Sequence, residues 1–218
     1  MTSSEPPRDP TLSPPLELPS AAQLQARLAD IAAAPRERGV VQALFARPAV
    51  GQRRALEVAD LDRAVGLVGD NWSTRGSRRT ADGSPHPEQQ LTLMNGRALA
   101  AIAGAPDRFA LAGDQLIVDF DLSAAHLPPG TRLAIGSAVI EVTALPHTGC
   151  AKFAARFGAA AHAFVHSPEG RALQLRGINA RVVLPGRVRL GDAIGKLPSA
   201  PPCALDRPEP PTGATPSP

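Results

Sequence analysis

The residues best suited to chemistry lie in the run HTGCAKFAARFG, residues 147–158. Phe153, Phe157, Phe164 and Val165 recur at helical spacing, so the pattern predicts a helix that starts just after Gly149 and continues to about His166. Cys150 then stands at or before the first turn. Free backbone N–H groups and the helix dipole favour an anion there, and Lys152 and Arg156 add positive charge on adjoining turns, a combination that lowers a thiol pKa. A thiolate can ligate a soft or high-valent metal, accept sulfur as a persulfide, or attack an electrophile. The alternative is a buried, inert cysteine, and the residues alone leave both open. His147, three residues earlier, can hydrogen-bond a ligand or the thiolate. His162 and His166 lie one turn apart; such a pair can bind a metal, but without an H-E-x-x-H pattern or a neighbouring cysteine it reads as a surface pair.

The elements that must position these groups are legible in outline. Ser20 precedes AAQLQARLADIAAA, in which Leu24, Leu28 and Ile31 mark one face of a helix over about Ala21–Ala34 with Ser20 as N-cap. Gly39 opens VVQALFAR, a β-branched and aromatic first strand ended by Pro48. RRALEV can extend a strand, whereas the polar, Gly/Ser-rich stretch from Asn71 to Gln90 reads as a long loop. Its Arg75, Arg78 and Arg79 either face an anion or are simply solvated. QLTLMN reads as a strand, GRALAAIAG as a short helix and DQLIVDFDL as a strand. RLAI and AVIEVTAL, split at Gly136-Ser137, make a β-hairpin, and LPGR reads as the turn of a second hairpin between ARVV and RVRL.

Composition bounds the rest. A hydrophobic content of 43% in 218 residues supplies one real core. Many of the 24 prolines crowd residues 6–19 and 198–218, where apolar periodicity disappears. The expected organisation is a disordered tail over 1–20, an N-terminal helical segment over 21–36, a domain over 37–197 and a second disordered tail over 198–218. The tails carry net charges of −2 and −1, so a chain of net +3 has a body of +6; this suits a phosphate-bearing ligand but ranks nothing alone. Two cysteines, Cys150 and Cys203, build no disulfide framework. With no leader pattern and no stretch of eighteen apolar residues, a reduced, cytoplasmic setting away from membranes is expected. Aromatics are only 3% with no tyrosine, which leaves few stacking platforms for nucleic acid, so no specific nucleic-acid partner is expected. No Walker loop, GxGxxG or Ser-His-Asp pattern stands out.

The run HTGCAKFAARFG, followed by SPEGRALQLRGINARVVLPGRVRLGD and preceded by DLSAAHLPPGTRLAIGSAVIEVT, resembles the MOSC domains, named after the C-terminus of molybdenum cofactor sulfurase. The resemblance spans about Gly39 to Gly195 and is weakest over residues 51–90. It implies a mostly β fold with a few helices (α+β), a barrel-like MOSC-type domain, whose family-characteristic cysteine coordinates molybdenum or carries sulfur. Cys150 matches that position, as catalytic residue and metal ligand. The implied cofactor is the molybdenum cofactor, molybdopterin. Its phosphate and polar pterin call for arginines, backbone amides and amide side chains, and Arg176, Asn179 and Arg181 of LRGINARVV are candidates beside His147, Thr148, Lys152 and Arg156. Gly177 would let the backbone approach a ligand closely; alternatively Asn179 and Arg181 merely face solvent on a strand that buries Ile178, Ala180 and Val182. Members of the family occur in cofactor sulfurases, in reductases of N-hydroxylated compounds such as amidoximes or hydroxylaminopurines, and as small bacterial proteins. The resemblance therefore implies an oxidoreductase component acting on a small N-hydroxylated molecule, or a carrier of sulfur or cofactor. The chain has no pyridoxal-phosphate-dependent desulfurase region and too few thiolates for an iron–sulfur cluster, so electrons or sulfur must come from an external donor protein.

Overall fold

A computed structural model describes residues 17–149 and 151–198. Residues 1–16 and 199–218, which make up most of the two expected tails, lie outside the described residues, as do Cys150 and Cys203. Ser20 caps the first helix through a capping box: its hydroxyl accepts from the Gln23 N–H, and the Gln23 side chain accepts from the Ser20 N–H. The segment predicted as one helix is two short ones, α1 (Ala21–Ala26) and α2 (Leu28–Ala32). Leu24 and Ile31 nevertheless point into a shared core, as their spacing requires.

The strands follow in chain order: β1 (Gly39–Ala46), β2 (Arg54–Leu56), β3 (Val58–Asp62), β4 (Gly66–Leu67), β5 (Leu91–Asn95), then helix α3 (Gly96–Ala103) and β6 (Leu116–Asp119). The hairpin β7 (Arg132–Ile135) and β8 (Ala138–Val142) comes next, then α4 (Ala151–His166), α5 (Pro168–Ala172), β9 (Ile178–Leu184), β10 (Gly186–Arg189) and β11 (Ala193–Lys196). Seven strands pair in the order β11-β7-β8-β9-β5-β6-β1, and β1 pairs back onto β11 to close a barrel, with β2 attached outside β1. Closure joins the two ends of the seven-strand barrel and leaves β2 as its short added edge. The fold is thus mostly β with a few helices, as expected.

The pair β5–β6 is parallel, with α3 as part of its crossover. Asn95 starts α3 by accepting from the Ala98 N–H, and Gly104 ends it with φ 76°. All five residues of β5 are buried: Leu91 and Leu93 face the barrel interior, while Met94 packs under α3 and α4 with Leu99, Ile102, Phe153 and Phe157. Covered on both faces, β5 does not show the alternating burial of β8.

Two expectations are corrected. RVRL does not form a hairpin with ARVV: β10 leaves the barrel and pairs antiparallel with β3, in a separate sheet completed by β4. The predicted helix over 150–166 is broken at Gly158, whose φ of 85° and ψ of 167° are not helical. The stretch read as a long loop contains only two 3-10 turns, at Trp72–Thr74 and Pro87–Gln89. Among the described residues no helix is long and apolar enough to cross a membrane.

Candidate functional site

A cavity of about 240 Å³ opens between the strap from Thr143 to Gly149, the C-terminal end of α4 and the segment from Gln174 to Asn179. That is close to the lower end of the roughly 300–1,000 Å³ typical of small-molecule sites, and suits a bicyclic heterocycle. His147, Thr148, Arg176, Gly177 and Asn179 all line it, so residues from two distant stretches of sequence converge. Gly149, the residue before Cys150, is part of the same wall. Gln174 contributes the one non-glycine residue with positive φ among the described residues, at 49°. Such backbone is sparsely populated and clusters at functional sites.

Asn179 is only 1% exposed. Its position on β9 points outward from the barrel, but the strap covers it, and its amide donates to Leu145 O at 2.9 Å. The carbonyl oxygen Oδ1 is buried with no partner, and a buried amide oxygen left unmade is costly. Arg176 spends Nη1 on Asp114 Oδ2 at 2.7 Å and Nη2 on Ala112 O at 3.1 Å, stacks over Phe153 with its guanidinium carbon 5.1 Å from the ring centre, and leaves Nε unpartnered. Asp114 is fully buried and its Oδ1 faces His147 Nδ1 at 3.4 Å, too far for a hydrogen bond; neither atom has another partner. Burial, followed by the Arg176 charge, holds the His147 pKa down at about 3 against the pull of Asp114, so the imidazole is neutral at pH 7. Three orphaned polar atoms on cavity-lining residues thus offer an acceptor at Asn179, a donor at Arg176 and a ring nitrogen at His147. This set fits a flat heterocycle with polar edges, such as a pterin.

The other expected residues disperse. Thr148 is exposed on the cavity wall, and Lys152 is exposed at the start of α4, outside it. Arg156 turns away and donates to Leu111 O at 2.7 Å. Arg181 shares the outward face of β9 with Asn179, but no strap covers it; its side chain is 56% exposed and pairs with Glu141 at 2.6 Å. Burial raises the Glu141 pKa, but hydrogen bonds from Arg181 and Arg132 outweigh it and the net shift is downward. The close approach allowed by Gly177 is to the protein itself: at φ 100°, a Cβ there would lie 2.1 Å from Leu93 O. The break at Gly158 leaves only residues 151–157 in the first part of α4, a shorter dipole than the sequence implied.

His162 and His166 are not a surface pair. Both are half-buried, their ring centres are 4.3 Å apart, and the His166 Nδ1–H donates to His162 O at 2.8 Å. His166 lines the cavity, and a Cβ on Gly149 would lie 2.9 Å from its Cε1. Among the described residues no group of three or more His, Cys, Asp or Glu side chains is placed to hold a metal. Sequence reasoning missed Asp114 and Gln174. Asp114 carried a weak signal as an acidic residue at the entrance to the apolar run QLIV, and Gln174 carried none.

The family described as "MOSC domain" matches residues 83–195, more than half of the chain. Among solved structures, the YuaD protein from Bacillus subtilis is 16% identical with a TM-score of 0.53, covering 74% of this chain and 96% of that one. YiiM from Escherichia coli is 19% identical with a TM-score of 0.49, covering 75% and 71%. At such identities the likeness to YuaD concerns the fold alone. No curated protein matches the sequence.

Proposed function

Because the chain belongs to the MOSC domain family, we propose that it binds the molybdenum cofactor with Cys150 as the metal-facing thiolate, as a component of an oxidoreductase system acting on small N-hydroxylated compounds. The observation that supports the reading is that His147, Arg176 and Asn179, each with a buried polar atom left without a partner, all line one cavity whose wall includes Gly149. The cofactor would supply two-electron redox chemistry at its metal. The chain's own residues would bind and orient it: Asn179 would offer its carbonyl oxygen as an acceptor and Arg176 its Nε–H as a donor. The pair with Asp114 fixes the Arg176 plane. His147, kept neutral by burial, presents a ring nitrogen without adding charge.

One feature favours a second reading. With two cysteines in the whole chain, no thiolate set is available for an electron-relaying cluster, and this suits a carrier in which Cys150 holds a persulfide or passes the cofactor on. Wild type and Cys150→Ser are to be purified anaerobically without thiol reductants from a host that makes molybdenum cofactor, and bound molybdenum and released pterin measured. Near-stoichiometric metal and pterin in wild type, with metal lost in the variant, is the expected result. Pterin retained with metal indifferent to Cys150, together with cyanide-releasable sulfur on the thiol, favours the carrier. Neither metal nor pterin in wild type overturns both.

A further inference from the structure

Behind the cavity wall, the segment from Leu111 to Asp114 is ringed by guanidinium groups. Three successive carbonyl oxygens each accept from a different arginine: Leu111 O from Arg156 at 2.7 Å, Ala112 O from Arg176 at 3.1 Å and Gly113 O from Arg47 at 3.2 Å. Arg53 closes the ring, with Nη2 standing 3.3 Å from where a Cβ on Gly113 would lie. Arg108 donates to Arg156 O at 2.7 Å. Arg75 arrives on the 3-10 turn Trp72–Thr74, which the bond from Asn71 N–H to Arg47 O pins to β1.

The carboxylates here are already committed. Asp70 has a side chain wholly buried and held by Arg47 through Nε at 2.8 Å and Nη2 at 2.9 Å. Asp114, equally buried, holds Arg176. Among the described residues Arg53, Arg75, Arg108 and Arg156 pair with no carboxylate, and buried Nε atoms of Arg53 and Arg108 have no partner. Burial first, then the charges of Arg156 and Arg47, hold the Arg53 guanidinium below its ordinary pKa; burial and Arg47 do the same to Arg75. Cations gathered at such density repel one another unless an anion joins them, and planar guanidiniums with spare parallel N–H groups match a tetrahedral oxyanion.

We propose that Arg53, Arg108 and Arg156, gathered around residues 111–114, together with Arg75 on the turn held to Arg47, form a binding site for a phosphate monoester beside the cavity. The site shares the Asp114–Arg176 wall with that cavity, so a single ligand can place its ring in one and its phosphate in the other, or a phosphorylated substrate can bind next to a cofactor. Only the choice between these two sources rests on the functional reading above; the site itself does not involve Cys150.

Inorganic phosphate is titrated by calorimetry into the full chain purified from a host that makes no pterin cofactor, alongside Arg53→Gln, Arg75→Gln and, as a surface control, Arg187→Gln. Arg187 lies at the remote β3–β10 sheet, paired with Asp60. Saturable binding is expected in wild type, weakened at least tenfold in Arg53→Gln and at least threefold in Arg75→Gln, and unchanged in Arg187→Gln. Phosphate should raise the melting temperature of wild type but not of Arg53→Gln. Arg75 makes no side-chain hydrogen bond among the described residues, so its variant keeps the test sound if Arg53→Gln misfolds. No saturable binding, or equal weakening by Arg187→Gln, overturns the site. Repeating the titration on cofactor-loaded protein assigns the source: phosphate binding that disappears belongs to the bound ligand's own phosphate, and binding that persists belongs to a separate phosphorylated substrate.

Discussion

His147 is held neutral in a place where a proton would cost most. Its pKa falls from 6.5 to about 3 on folding, so the unfolded chain binds a proton that the folded chain refuses. The stability it contributes is fully present above pH 6.5 and is lost as pH falls toward 3. Between pH 6.5 and about 4.5, the ordinary value for Glu141, this group supplies a slope approaching 1.4 kcal/mol per pH unit. Urea midpoints measured across that range should fall with pH in wild type and flatten in His147→Gln. Asp114 makes a second residue-scale claim. Asp114→Asn removes the charge that balances a buried Arg176 and should cost about 3–5 kcal/mol. The double variant Asp114→Asn/Arg176→Gln should cost less than the sum of the two singles. Strictly additive losses would show that the ion pair is not what holds this wall.

At the scale of elements, Gly177 sets the entry to β9. Its φ is 100°, and a Cβ at this position would stand only 2.1 Å from Leu93 O. Left-handed strain and overpacking therefore act together, so Gly177→Ala should cost at least about 2 kcal/mol. A thermal melt checks this. The same segment shows how far the sequence reaches. Alternation over INARVV placed Ile178, Ala180 and Val182 in the core, which the barrel bears out. It could not separate Asn179 from Arg181, because both share one face of the strand. Only the strap over Asn179 distinguishes them, and a strap is tertiary. Helical spacing over residues 150–166 found the buried phenylalanines but not the break, since Gly158 is compatible with a helix and only its φ reveals otherwise. The turn LPGR was read as a hairpin because local turn chemistry says nothing about which sheet the next strand joins, and β10 finds its partner in β3, far away in sequence.

For the molecule as a whole, the placement of β5 between β6 and β9 has the decisive consequence. It brings the end of the first half of the chain, at Asp114, against the strap at His147 and the start of β9, and so builds one wall from three separate stretches. Arg176 and Asn179, named from the resemblance, line the cavity, whereas Cys150, named from its motif, lies outside the described residues. Asp114 and the arginine ring were not legible, because no spacing in the sequence marks residues that meet only across the fold. The proposed function requires that the cavity under the strap, rather than the basic surface in general, receives the cofactor. It is tested most directly by measuring pterin released on denaturation from Asn179→Ala and Arg181→Ala, both purified from a host that makes molybdenum cofactor and both checked for native circular dichroism. The two residues lie on the same face of β9, two positions apart, and only one lines the cavity. At least a tenfold loss of pterin in Asn179→Ala with near wild-type content in Arg181→Ala is predicted; equal content in the two variants, or loss confined to Arg181→Ala, would contradict the account.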